Sequence, residues 1–252
     1  MIRNPIHKVL SSMQANRVRV LLMGGQACVF YGAAEFSRDT DFAILADATN
    51  LVRLRKALDD LQGKVIAVPP FELKYLKRGH AIHFRCQHPD TLGMRIDIMS
   101  KMRGVEPFPK LWQRRTTIEL PDGLTCNLLS LPDLVQAKKT QRDKDWPMIR
   151  RLLEAHYFEN RAALSPSQIR FWLSELRTPA LLIEVATRYP KLANKLVSKR
   201  RLIVDAISGE AADLEAALRS EEASERERDR VYWLPLRKEL ESLRHRRSQK
   251  RR

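Results

Sequence analysis

Three acids in this 252-residue chain have a spacing that lets them meet: Asp39 and Asp41, one residue apart, and Asp97 inside the apolar run Met94-Arg95-Ile96-Asp97-Ile98-Met99. Side chains at positions i and i+2 of a strand point to one face, so Asp39 and Asp41 can converge on a single point. Carboxylates that close repel unless a cation lies between them. Mg²⁺ is the natural ion, because it is hard, takes oxygen ligands and keeps positions open for substrate phosphates. An isolated Asp-x-Asp also has a plain reading, with Asp39 a turn or cap residue and Asp41 a solvated strand end. Asp97 adds weight to the first reading, since a carboxylate in mid-sheet is costly unless it is paired or on metal. Ile96 and Ile98 point away from it, whereas Arg95 shares its face and is an alternative, purely structural partner.

A second chemical signal is Gly24-Gly25, which closes the apolar run VRVLLMG (18–24) and leads into QACVFYGA, a helix pattern. Backbone N–H groups at the start of such a helix point outward and bind phosphate, and glycine lets the backbone approach it closely. Alone, a glycine pair after a strand is more often a tight turn without a ligand.

The elements that must position these residues follow from periodicity. Strands are predicted at 18–24, 41–45, 64–68, 81–87 and 94–100. A helix over NLVRLRKALDDL has Asn50 as its expected cap, Leu51, Leu54, Leu58 and Leu61 at helical spacing, and Gly63 as its stop. The run TTIELPDGLTCNLLS predicts a hairpin turning at Pro121-Asp122-Gly123. After Ser130 the patterns are helical. The expected architecture is therefore α+β: a sheet domain over 1–130 that carries the chemistry, then a helical part over 131–252. Within the latter, GEAADLEAALRSEEASERERDR is either a long solvated helix or a partly ordered connection, and RHRRSQKRR is either a disordered phosphate-contacting tail or a passive one.

The net charge of +16 and a pI near 10.2 favour a polyanionic partner, nucleic acid or nucleotide, over a merely solvated basic surface. No apolar run approaches the roughly 20 residues of a membrane span. The N-terminus lacks the apolar stretch and cleavage site of a secretory signal, so a cytoplasmic location is expected. Cys28, Cys86 and Cys126 are odd in number and far apart, which argues against a disulfide framework or a zinc site.

Taken together, LLMGG, thirteen residues, Asp39-Thr40-Asp41 and a later strand acid, Asp97, resemble the pattern of the polymerase-beta-like nucleotidyltransferase superfamily. LPDLVQAKKTQRDKDWPMIRRLLE is similar to the helix pair that follows this core in the bacterial branch related to abortive-infection and toxin–antitoxin nucleotidyltransferases. The resemblance covers roughly residues 18–155. It implies a mixed sheet flanked by helices, with Asp39, Asp41 and Asp97 as catalytic residues holding two Mg²⁺ ions. It also implies a nucleoside triphosphate, ATP among the candidates and the base left open, lying on Gly24 and Gly25, and transfer of a nucleoside monophosphate to an acceptor hydroxyl. Ser37, Arg38, Lys138, Lys139 and Asp145, with Arg142 and Lys144 nearby, are the further positions matched to nucleotide binding. The lysines have an equal reading as solvated helix residues. One departure is that Gly25 stands where many members carry a serine hydroxyl.

The acceptor that this reading favours is RNA, above all tRNA, with the chain acting as a toxin that a cognate antitoxin protein would restrain. The alternatives are a small-molecule or protein acceptor, and a nucleic-acid-binding module without turnover. His80, His83 and His88 are spaced for metal, but positions 80 and 83 of one strand face opposite ways, so they are expected at the surface or in loops near a nucleotide pocket. Trp112, Trp146 and Trp172 fit core positions better than base-stacking ones.

Overall fold

The computed structural model describes residues 5–162 and 165–249. Residues 1–4 of the N-terminal run and 250–252 of the basic C-terminal run lie outside the described residues. In chain order the elements are α1 (Pro5–Ala15), β1 (Val20–Met23), α2 (Gly24–Phe30), β2 (Asp39–Ile44), α3 (Ala48–Asp60), β3 (Lys64–Val65), α4 (Leu73–Arg78), β4 (Ile82–Arg85) and β5 (Arg95–Met99). These are followed by α5 (Phe108–Gln113), β6 (Thr116–Glu119), β7 (Thr125–Leu128), α6 (Leu131–Ala137), α7 (Asp145–Asn160), α8 (Pro166–Glu175), α9 (Pro179–Arg188), α10 (Pro190–Leu196), α11 (Ile203–Ser208) and α12 (Ala211–Gln249).

The fold is α+β, with a seven-stranded mixed sheet in the order β3-β4-β5-β2-β1-β7-β6 and helices around it. At its centre β2 runs parallel to β5 and antiparallel to β1. Alternation fixes which face each residue takes. Thr40, Phe42, Ile44, Ile82, Phe84, Ile96 and Ile98 are buried on one face, while Asp39, Asp41, His83, Arg95 and Asp97 take the other.

Helix α3 is tied to the sheet by polar bonds as well as by Leu51, Leu54 and Leu58. Its cap is Asp47, whose carboxylate accepts from the N–H of Asn50 at 2.6 Å. The expected cap, Asn50, is instead buried in the first turn. Its amide accepts from the Arg19 N–H at 2.7 Å and donates to the carbonyls of Arg19 and Leu45 at 3.0 and 2.9 Å, joining the ends of β1 and β2. Gly63 is not the residue that turns the chain at the helix end, because Gln62 takes the left-handed conformation at φ 50°.

By packing, the chain forms two compact units, one of Met1–Phe30, Ala34–Ala137 and Tyr232–Arg252, the other of Tyr31–Ala33 and Lys138–Val231. A single division at residue 130 is thus corrected at both ends. Helix α6 stays with the sheet, because Asp133 accepts from Arg114 at 2.6 and 2.7 Å and Leu131, Leu134 and Val135 are buried. The end of α12 also belongs there, since buried His80 meets Glu239 at 2.8 Å. The charged segment over 209–230 lies mostly in α12, and Arg244–Gln249 continues that helix where a disordered tail was one expectation. In the second unit Trp146 and Trp172 are core residues, as their helical context suggested.

Replacing Asn50 with alanine leaves the Arg19 N–H and the Leu45 carbonyl without their side-chain partner and leaves the Arg19 carbonyl with the Leu45 N–H as its remaining donor. A loss of about 3 kcal/mol in folding free energy is expected from the urea midpoint.

Candidate active site

The acids converge through sheet register. Asp41 and Asp97 are direct partners on parallel neighbours β2 and β5, and Asp39 pairs with Arg95 one step away. Neighbouring strands lie about 4.8 Å apart, so these side chains form a compact row on one face. His83 of β4 is the partner of Asp97 on its other side. The resulting order across the sheet is His83, Asp97, Asp41 and Met23 at the end of β1.

Asp97 is firmly held. The Nε of Arg95 donates to its Oδ1 at 2.7 Å, and Nδ1 of His83 lies 2.8 Å from the same oxygen. That nitrogen is also 3.0 Å from an Nη of Arg95. One ring nitrogen can donate to the carboxylate or accept from the guanidinium, but not both at once. Burial pushes the Asp97 carboxyl up, yet the hydrogen bonds from His83 and Arg95 outweigh it and hold it below the usual carboxylate range. Arg95 is raised by its bond to Asp97 first, and the charges of Asp39 and Asp41 add to that. One guanidinium therefore stands in the field of all three acids.

The glycine pair makes room for side chains of its own fold. Gly24 has φ +67°, and a Cβ built on it would overlap the Asp41 carboxylate; one on Gly25 would overlap the Ser37 hydroxyl. The room left by the missing side chains is filled by an acid and a serine, so the glycines first let β2 and its lead-in loop close on the start of α2. Gln26 donates to the Ser37 carbonyl at 2.8 Å and Ser37 donates to the Asp39 carbonyl at 3.1 Å, fixing that loop. Ser37 and Arg38 border a groove of about 570 Å³ that Gln26, Phe36 and Met94 also line.

Lys138, Lys139 and Asp145 belong to the second unit and the acid row to the first. The lysines are not solvated. Lys138 is buried and meets Asp145 at 3.3 Å, and Lys139 meets Glu175 at 2.8 Å. Asp145 also accepts from Thr140 at 2.6 Å and Arg142 at 2.7 Å. Burial pushes its carboxyl up, and Lys138 and Arg142 more than reverse that. This cluster closes the loop between α6 and α7, so a structural role accounts for these residues.

Sequence reasoning missed His83, placed among surface or loop histidines but found on β4 beside Asp97, whereas His80 lies in a loop, as was one expectation, and is only 1% exposed. The signal for His83 was available. Pairing HAIHFR with RIDIM as adjacent alternating strands puts His83 and Asp97 on one face, opposite Ile82, Phe84, Ile96 and Ile98.

Among the described residues no group of three His, Cys, Asp or Glu side chains is gathered tightly enough to hold a metal ion as it stands. The donor chemistry nonetheless fits a hard divalent cation, because carboxylates in register on neighbouring strands require positive charge between them, and here Arg95 supplies it. No protein-family model and no curated protein matches the chain.

Two outcomes test this geometry. Gly24→Ala should cost about 1–3 kcal/mol by denaturant titration, clearly more than Gly123→Ala, which has a similar φ of +81° but open space around it. The Asp97 pair contributes stability above the ordinary Asp pKa of about 4, which is lost as pH falls through the lower folded value. Asp97→Asn should therefore flatten the acid limb of the stability profile below about pH 4, measured by urea unfolding at each pH.

Proposed function

We propose that this chain is a metal-dependent nucleotidyltransferase that moves a nucleoside monophosphate from a nucleoside triphosphate to an acceptor hydroxyl. The observation that carries the reading is the register of Asp41 with Asp97, with Asp39 on the same face and Gly24 beside Asp41. An acid row beside a closely approached backbone is an arrangement suited to phosphoryl chemistry.

In this reading Asp39, Asp41 and Asp97 would hold Mg²⁺, two ions being expected, and the metal supplies charge neutralisation for the triphosphate and acidification of the attacking hydroxyl. The chain's own groups do the rest. Before any metal binds, Asp97 accepts a hydrogen bond from Arg95; His83, against the same oxygen, fixes the orientation of the carboxylate. Ser37 and exposed Arg38 stand next to the row, where a hydroxyl and a guanidinium can steady phosphate oxygens. The adjoining groove, with exposed Phe36, offers apolar surface to a nucleoside.

RNA, and tRNA in particular, is the proposed acceptor, supported by the charge of +16, which draws polyanions. A toxin role restrained by an antitoxin protein belongs to the same reading. Among the described residues Cys28, Cys86 and Cys126 are buried and form no disulfide, which suits a reducing cytoplasm. No described helix is long and apolar enough to cross a membrane.

The test is incubation with Mg²⁺, α-labelled triphosphates and total RNA. Label should move to RNA, and Asp41→Asn should lower the rate about a thousandfold, as loss of a metal ligand removes several kcal/mol of transition-state stabilisation. Equal transfer by the variant, or none by the native protein with any acceptor class, would refute the reading. Transfer that persists without RNA would redirect it to a small-molecule or protein acceptor.

A further inference from the structure

We propose that Arg95 is a built-in counter-ion that competes with divalent metal for the acid row, holding the row assembled until metal displaces its guanidinium from Asp97. The inference rests on the metal-dependent reading above and concerns a residue that reading does not require.

Arg95 sits two positions before Asp97 on β5, so strand alternation places both on one face, and it pairs in register with Asp39. Its Nε already donates to Asp97 Oδ1 at 2.7 Å. A carboxylate oxygen engaged in that way has one fewer lone pair for a cation, and a guanidinium beside three acids repels any second positive charge. Metal and Arg95 therefore exclude one another at Asp97 Oδ1. The side chain is 37% exposed, so it can leave the row without breaking the core. His83 gives the departing group a second anchor, because its Nδ1 lies 3.0 Å from a guanidinium nitrogen and can accept a hydrogen bond from it. A purely structural ion pair would differ in one respect, in that it would persist when metal binds.

The probe is Mn²⁺, with free ion counted by electron paramagnetic resonance, on the full chain and three variants. Arg95→Met removes the competing charge and should bind Mn²⁺ about tenfold more tightly than the native protein, given Coulomb energies between these groups at intermediate dielectric. Arg95→Lys keeps a cation and should bind within about threefold of native, the smaller change expected where charge is conserved. Arg85→Met removes the same charge from an exposed neighbour, the register partner of Arg95 on β4, and should also stay close to native.

Arg95→Met binding no more tightly than Arg85→Met overturns the proposal while leaving the metal site standing. Absence of Mn²⁺ binding in every form removes the metal reading together with it. Since loss of Arg95 could unfold the metal-free protein, a second measurement uses the native chain. The Arg95 Nε–H, observed by nitrogen-15 NMR, should be protected from solvent exchange without metal and lose that protection when Mg²⁺ saturates. Protection retained at saturation would show a static pair and defeat the proposal.

Discussion

Like charges can share one face of a sheet only while positive charge stands among them, and at the centre of this sheet the Arg95 guanidinium supplies it. The acids come from two strands, yet their counter-ion comes from the same strand as one of them, two residues earlier. Alternation alone therefore delivers acid and base to the same face. Much of the local structure follows from that arrangement. Asp41 needs room beside β1, so the residue after β1 has no side chain and a positive φ. Thr40, between the two acids, is forced to the buried face, where its hydroxyl finds no partner among the described residues.

The row is held by a stiff platform. Phe42, Ile44, Ile96 and Ile98 are fully buried beneath it, which fixes the register of β2 against β5 to the residue. A slip of one position would put Ile96 beside Asp41 on paper and turn every apolar side chain of one strand to the wrong face. Asn50 adds a polar lock at the far ends of β1 and β2. Acids so constrained cannot drift apart to relieve repulsion, and a cation among them is the remaining remedy.

What could be read from sequence was whatever depends on local period. The five strands of the first hundred residues, the hairpin, and the shared face of Asp39 and Asp41 were legible because a period of two is unambiguous in short alternating runs, whereas the placing of Asp97 beside them depends on the register of β2 with β5. Contacts between distant segments were not. Asp133 belongs to a helix whose own pattern says nothing of Arg114, so α6 was assigned to the helical part when its ion pair keeps it with the sheet. His80 lies 159 residues from Glu239, and no local pattern announces a burial that depends on it. The cap of α3 was ambiguous because Asp47 and Asn50 are both good cap residues, and the buried bonds of Asn50 decided between them. The glycine pair was recognised as an approach point, but what approaches it in the fold is Asp41 and Ser37.

Charge acts on this molecule at two scales that pull in opposite directions. Over the whole chain the excess of 16 positive charges raises the encounter rate with a polyanion, and salt screens that attraction beyond about 8–10 Å. At the row itself three acids meet whatever arrives, and a phosphate can settle against carboxylates only with a cation between them. On the proposed reading, the global field would bring an anionic substrate to the surface without being able to seat it. Capture would then be governed by ionic strength and chemistry by the cation in the row, and nucleic acid that is merely attracted would not enter the site until the local charge is changed.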